Sequence, residues 1–325
     1  MAAGEFELIR RYFTRRGARR EDVLAGVGDD AALLAAPAAG MLVLALDTLV
    51  EGAHFPAGFD ARFVGHRALA VNLSDLAAMG ADPAWALLGL TIPAADENWL
   101  AGFSAGLDAL ARRHGVALVG GDTTRGPLTV SLALAGSVPA GQALHRQGAR
   151  PGDDLWVSGT PGDAAAGLAI LQGRLAAQGR ARDALLARFQ LPQARVALGA
   201  ALRGIATSCI DVSDGLAADL AKLCAASGVG ADVASRDIPL SAGLCSAALP
   251  QVRLAYALGG GDDYELLFSA DESARARLAS LDAGVVLKRI GAITAEPGVR
   301  VDGAPVERDS GHGFDHFAGG AQTPG

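Results

Sequence analysis

The chain has 325 residues, half of them hydrophobic but only 5% aromatic, and a formal net charge of −7. That length holds one large domain or two ordinary ones, with a core built mainly from Ala, Leu and Val. The acidic balance argues against a general binder of nucleic acid or of anionic membrane.

Glycine is in excess, 43 of 325 residues against a usual share of about 7%. With no repeat, this points to tight turns and close backbone approaches. Cys209, Cys224 and Cys245 have no metal-ligand spacing and read as small buried residues of a reducing compartment. The segment Met1 to Ile9 carries Glu5 and Glu7 and has no apolar leader character. No uninterrupted apolar run reaches the ~18 residues of a membrane span. A cytoplasmic protein is expected.

Gly4 to Phe13 predicts an amphipathic helix, followed by a solvated basic run from Arg15 to Arg20. Gly28-Asp29-Asp30 then places two acids after a flexible turn. Met41 to Leu46 predicts a strand that ends in Asp47-Thr48, ahead of Glu51-Gly52-Ala53-His54-Phe55. Asp60 is placed to cap a long helix through Met79. In it Leu69, Leu73, Leu76 and Met79 recur at the spacing of one buried face, with Asn72, Ser74 and Asp75 between them. Trp85 to Ile92 predicts a strand, Asp96 to His114 a helix, and Ala117 to Val119 a short strand running into Gly120-Gly121-Asp122-Thr123. Leu128 to Val138 resumes strand character.

Pro139 to Asp153, rich in Pro and Gly, is the candidate domain boundary. Beyond it, Leu155 to Ser158, Cys209 to Asp211, Val229 to Val233 and Leu266 to Phe268 predict strands. Helices are expected up to Leu171 and over 181–189 and 194–205. Asp214 is an N-cap candidate for the helix after Asp211-Val212-Ser213-Asp214-Gly215. The fold class expected is α+β in two domains, 1–143 and 144–325.

One grammar recurs along the chain: Asp29-Asp30, Asp47, Asp75, Asp122, Asp211 with Asp214, and Asp262-Asp263. Most of these acids sit beside glycine or at an expected strand end, where ligand-bearing loops are usually found. Asp is a usual donor of hard oxygen ligands to Mg²⁺. The only lysines, Lys222 and Lys288, lie outside these motifs, so converging carboxylates would need several metal ions. Such ions would also bridge an acidic protein to an acidic phosphate compound. Arg125, just after the Gly-Gly-Asp motif, and Arg146 could contact phosphate. No Gly-x-x-x-x-Gly-Lys-Ser/Thr loop, His/Cys zinc cluster or Gly-x-Ser-x-Gly elbow is present.

Taken in order, these motifs, with Gly260-Gly261-Asp262-Asp263-Tyr264-Glu265 and the closing Gly313-Phe314-Asp315-His316-Phe317, resemble the thiamine-monophosphate kinase family. That family lies within the wider group of aminoimidazole ribonucleotide synthetase-like ATP-binding proteins. The resemblance covers nearly the whole chain. It implies ATP-dependent phosphorylation of thiamine monophosphate to the diphosphate by an N-terminal α/β domain that dimerises through its sheet and a C-terminal α+β domain. It assigns Asp30, Asp47, Asp75, Asp122, Asp211 and Asp214 to several Mg²⁺ ions. Gly121, Asp122, Arg146 and Ser213 fall to ATP, and His54, Asp262 and Phe314 to thiamine monophosphate. K⁺ is a further candidate cofactor. The acceptor phosphate is already anionic, so no general base is expected.

One departure stands out. Ala45 and Leu46 occupy two positions where the family usually carries hydroxyl side chains, which puts one metal's coordination in doubt. Competing readings are a sibling ATP-dependent enzyme with another acceptor, a two-metal phosphatase, and a non-catalytic nucleotide- or metal-binding module.

Overall fold

The computed structural model describes residues 5–28, 31–37, 39–282 and 284–306. The chain begins with α1 (Glu5–Tyr12), β1 (Val23–Ala25), β2 (Leu33–Leu34), β3 (Met41–Val50) and α2 (Ala61–Ala78). There follow β4 (Asp82–Ile92), α3 (Glu97–Arg113), β5 (Ala117–Arg125), β6 (Thr129–Val138), β7 (Asp154–Ser158), α4 (Asp163–Leu171), α5 (Gly179–Gln190) and α6 (Val196–Ala201). Next come β8 (Ala206–Val212), α7 (Leu216–Ser227), β9 (Gly230–Val233), α8 (Ala242–Ala247) and α9 (Pro250–Gly259). The last elements are β10 (Glu265–Ala270), α10 (Arg275–Ala279), β11 (Leu287–Thr294), β12 (Gly298–Val301) and β13 (Ala304–Pro305).

Two compact units result. One comprises residues 1–143 with 190–203, the other 144–189 with 204–325. The expected second domain, 144–325, therefore differs from the structure in one respect. Residues 190–203 pack with the first unit, because Gly199 lets α6 lie against α2: a Cβ there would stand 2.0 Å from the Ala77 carbonyl oxygen.

In the first unit the sheet order is β3-β6-β4-β5. Strand β6 is antiparallel to both neighbours, whereas β4 and β5 run parallel, as a crossover through α3 requires. Helix α2 packs on α3, α6 and the sheet. Asp60 caps it, accepting the Arg62 N–H at 2.8 Å. The predicted one-sided helix is in fact buried nearly all round. Leu69, Leu73 and Leu76 are each 0% exposed, so each contributes about 1.5–3 kcal/mol of burial. A Cβ at Gly65 would stand 2.0 Å from the Phe103 carbonyl oxygen, and one at Gly106 2.0 Å from that of Arg62. Part of the glycine excess thus serves backbone-to-backbone helix crossing and not ligand approach.

The second unit is built on a seven-stranded sheet, β13-β12-β9-β11-β7-β10-β8, antiparallel except where β12 runs along β9. Helix α7 seals it through Leu216, Leu220 and Leu223 against Val157, Ile210 and Leu267. At one end of β7, Asp154 is 2% exposed. It receives Arg275 Nη2 at 2.8 Å and Arg289 Nη1 at 2.9 Å. The Arg275 hydrogen bonds, aided by those of Arg289, hold this carboxyl below the usual carboxylate range despite its burial.

Because folding lowers the pKa of Asp154, its contribution to stability is present above about pH 4 and lost as the pH falls further. Asp154→Asn should therefore lower stability at neutral pH by about 1–2 kcal/mol, the arginines being half-exposed and screened. Urea melts should show the deficit shrinking toward about pH 3.

Candidate functional site

Strand pleat decides which acids of the first unit can meet. Along β3, Leu42, Leu44, Leu46 and Thr48 are exposed, while the residues between them turn toward α2. Asp47 belongs to the second set, and the strand continues past it to Val50, so it lies within a strand and not at its end. Its carboxyl comes within hydrogen-bonding reach of Asp75 on α2. Burial pushes the Asp47 carboxyl above the usual range, with the Asp75 hydrogen bond and the nearby His54 opposing. His54 is fixed by a turn in which its N–H donates to Val50 O at 2.9 Å. Its Nδ1 faces the Val50 N–H at 3.0 Å, which fixes the orientation of the ring.

Asp122 is elsewhere. Gly120, Gly121 and Asp122, expected in a loop after a short strand, lie inside β5. Gly121, at φ +147°, is where it is because a Cβ would stand 1.9 Å from Leu88 O of the adjacent strand. The register aligns Asp122 with Gly89, Ser131 and Thr48, one pleat away from the row of Asp47. It is exposed and borders a depression of about 1220 Å³ on the outer sheet face, shared with Gly28, Ala31, Leu44, Leu46 and Leu87. Three strand spacings, about 14 Å, separate β5 from β3, so Asp122 and the Asp47–Asp75 pair do not share one ion within this chain.

In the second unit the two acidic motifs lie side by side. Strand β10 pairs with β8, Glu265 opposite Val212 and Leu266 opposite Asp211. The N–H of Asp262 donates to Ser213 O at 2.9 Å and that of Tyr264 to Val212 O at 2.8 Å. Asp211, Ser213, Asp214 and Asp262 are thereby gathered at one strand end, with Asp211 buried. Asp214 is not the N-cap of α7. That place is taken by Gly215, without a side-chain cap. Lys222, read as lying outside the acidic motifs, is ion-paired to Asp214 and, at 2.8 Å, to Asp219. Arg146 sits in a segment clasped by Ser227, whose hydroxyl donates to Arg146 O at 3.1 Å and accepts the Gly148 and Ala149 N–H groups at 3.2 Å. Asp30 and Phe314 lie outside the described residues.

Among the described residues no three His, Cys, Asp or Glu side chains stand together as a complete metal cage. The Asp47–Asp75 pair nonetheless suits Mg²⁺, which is usually held by one or two carboxylates with substrate phosphates and water completing its shell. All three cysteines are free thiols; burial pushes Cys209 up and Cys224 to about 11, so both behave as inert core residues.

Residues 28–138 match the family described as AIR synthase related protein, N-terminal domain, and residues 150–303 match its C-terminal domain. Thiamine-monophosphate kinase of Escherichia coli (strain K12) is 49% identical, covering 98% of this chain and 99% of the relative. The chain belongs to the thiamine-monophosphate kinase family. That of Bacillus subtilis (strain 168) is 35% identical over 81% of this chain and 82% of its own. The crystal structure of the Stenotrophomonas maltophilia K279a thiamine-monophosphate kinase superposes with a TM-score of 0.85 at 47% identity, covering 89% of this chain and 93% of that one. A structure described as AaThiL complexed with AMPPCP and TMP has a TM-score of 0.77 at 32% identity, with 90% and 92% covered.

Two further residues were given no role by sequence reading: Asp219, which it did not single out, and Asp263, named only as the neighbour of Asp262. Asp219, 1% exposed, accepts the N–H groups of Ser213 at 3.0 Å and Asp214 at 2.9 Å. Its place in the first turn of α7 was the available signal. Asp263 is equally buried, and only its pairing with Asp262 marked it.

Because folding raises the pKa of Asp47, the group costs nothing at acid pH and costs stability as the pH rises. In metal-free buffer at neutral pH, Asp47→Asn should thus be as stable as the parent or more stable by about 0.2–1 kcal/mol. That advantage should vanish below about pH 4, and thermal melts in chelator check it.

Proposed function

We propose that this protein transfers the γ-phosphoryl group of ATP to the phosphate of thiamine monophosphate, making thiamine diphosphate, the last step in forming that cofactor. Full-length identity of 49% to thiamine-monophosphate kinases carries this reading. The solved relative described as complexed with AMPPCP and TMP supports the substrate pair.

In this reading Asp47 and Asp75 are the central metal-holding carboxylates, with Asp30, Asp122, Asp211 and Asp214 holding further ions. Gly121, Asp122, Arg146 and Ser213 serve the nucleotide. His54, Asp262 and Phe314 serve thiamine monophosphate. Mg²⁺, when bound, supplies the positive charge that offsets repulsion between donor and acceptor phosphates. The chain's own residues bind and align, and none abstracts a proton, because the acceptor oxygen is anionic near neutral pH. Rigid placement is what they contribute to an in-line displacement. Arg146 is held by the Ser227 clasp and His54 by its turn, and Ser213 and Asp214 by Asp219. K⁺ is a further cation of the reaction.

The protein is proposed to work in the cytoplasm as a homodimer. No described helix is long and apolar enough to cross a membrane. Leu42, Leu44 and Leu46 are 57%, 75% and 67% exposed on the outer face of β3, an apolar row that a second copy would cover.

Phosphorus NMR of protein with ATP, Mg²⁺ and thiamine monophosphate should show thiamine diphosphate and ADP growing in equal amounts. Inorganic phosphate without thiamine diphosphate would sink the proposal. Leu44→Asp, which puts a charge in that row, should convert dimer to monomer in light scattering after gel filtration; an unchanged mass would place the interface elsewhere.

A further inference from the structure

Asp262 is the partly exposed member of an acidic pair whose other member is sealed in the second unit. Asp263 is 1% exposed, and both of its carboxylate oxygens accept backbone N–H groups at the start of α4. Oδ2 receives Gly162 at 2.6 Å and Oδ1 receives Ala164 at 3.2 Å. Arg188 of α5 donates Nη2 to the Asp263 carbonyl at 3.3 Å and to Glu265 Oε1 at 2.6 Å. Glu265, 0% exposed, also receives the Ser158 hydroxyl at 2.5 Å.

The backbone around this anchor is strained. Asp262 has φ +67° and Tyr264 φ +53°, left-handed conformations that are unfavourable for a non-glycine residue. Such strain persists only where surrounding bonds over-determine it. Here they do so from two sides: the Asp263 carboxylate and Arg188 hold the segment from within, and Val212 and Ser213 hold the N–H groups of Tyr264 and Asp262. The Tyr264 hydroxyl, donating to Asp262 Oδ1 at 2.8 Å, then orients the Asp262 carboxylate itself.

We infer that Asp263, braced by Arg188, is a positioning residue for thiamine monophosphate: it keeps the backbone at Asp262 in its left-handed turn and so aims the Asp262 carboxylate. The inference rests on the assignment of Asp262 to that substrate. A purely structural anchor would secure α4 and stabilise the unit but would not favour one substrate over the other.

The test compares Asp263→Asn, Arg188→Gln and Asp262→Asn, with calorimetric Kd values for thiamine monophosphate and for ATP with Mg²⁺, and melting temperatures. Asparagine keeps the shape of Asp263 but sets an NH₂ group against a backbone N–H, so one acceptor is lost. Arg188, whose side chain is 18% exposed, is the substitution better placed to leave the protein folded. Asp263→Asn and Arg188→Gln should each weaken thiamine monophosphate about tenfold or more while leaving ATP within about twofold. Adding Asp263→Asn to Asp262→Asn should cost little further. Equal weakening of both substrates, additive effects, or a lowered melting temperature with unchanged affinities would overturn the inference. Unchanged thiamine monophosphate binding in Asp262→Asn alone would instead remove the assignment beneath it, a result read from a different variant.

Discussion

Two carboxyl groups, Asp47 and Asp75, are held within hydrogen-bonding reach on elements that cannot give way. Strand β3 is locked in the sheet by a full ladder to β6, and α2 is buried on almost every side. Left alone, such a pair is unfavourable, since burial and like charge both resist ionisation. A cation between them relieves both penalties. That cost is the physical argument for the proposal that the first unit holds a metal ion at this pair.

The second unit arranges its acids by a different device. There the Asp211–Asp214 segment and the Gly260–Glu265 segment are neighbours by strand pairing, and buried carboxylates hold each in place. Asp219 secures the backbone of Ser213 and Asp214; Asp263 secures the start of α4. The exposed acids are thus aimed by buried ones, which is how a protein of net charge −7 can present carboxylates without letting them splay apart. Lys222 adds a local countercharge on Asp214.

Much of this was legible in the residues themselves. The Asp60 cap, most strands and helices, and the motif order pointing to the family follow from local chemistry that the fold leaves intact. What was not legible depends on partners distant in sequence. The all-round burial of α2 comes from α3, α6 and the sheet, none visible in a helical periodicity. Asp47 and Gly121 read as loop positions because glycine and acid usually end strands, yet inter-strand ladders carry β3 and β5 through them. The position of residues 190–203 in the first unit rests on partners far away in sequence, among them the close approach of Gly199 to Ala77, His66 on the Pro192 carbonyl and Arg203 on Gly80 and Asp82. Asp219 looks like any surface acid, and Asp263 like a twin of Asp262, until the backbone N–H groups they serve are seen.

The most direct test of the central claim is turnover of Asp75→Asn over a wide range of Mg²⁺ concentration, with circular dichroism to confirm the fold. The account predicts a native spectrum and a loss on the order of a hundredfold or more that saturating Mg²⁺ does not restore. Near-normal turnover at saturating Mg²⁺ would contradict it.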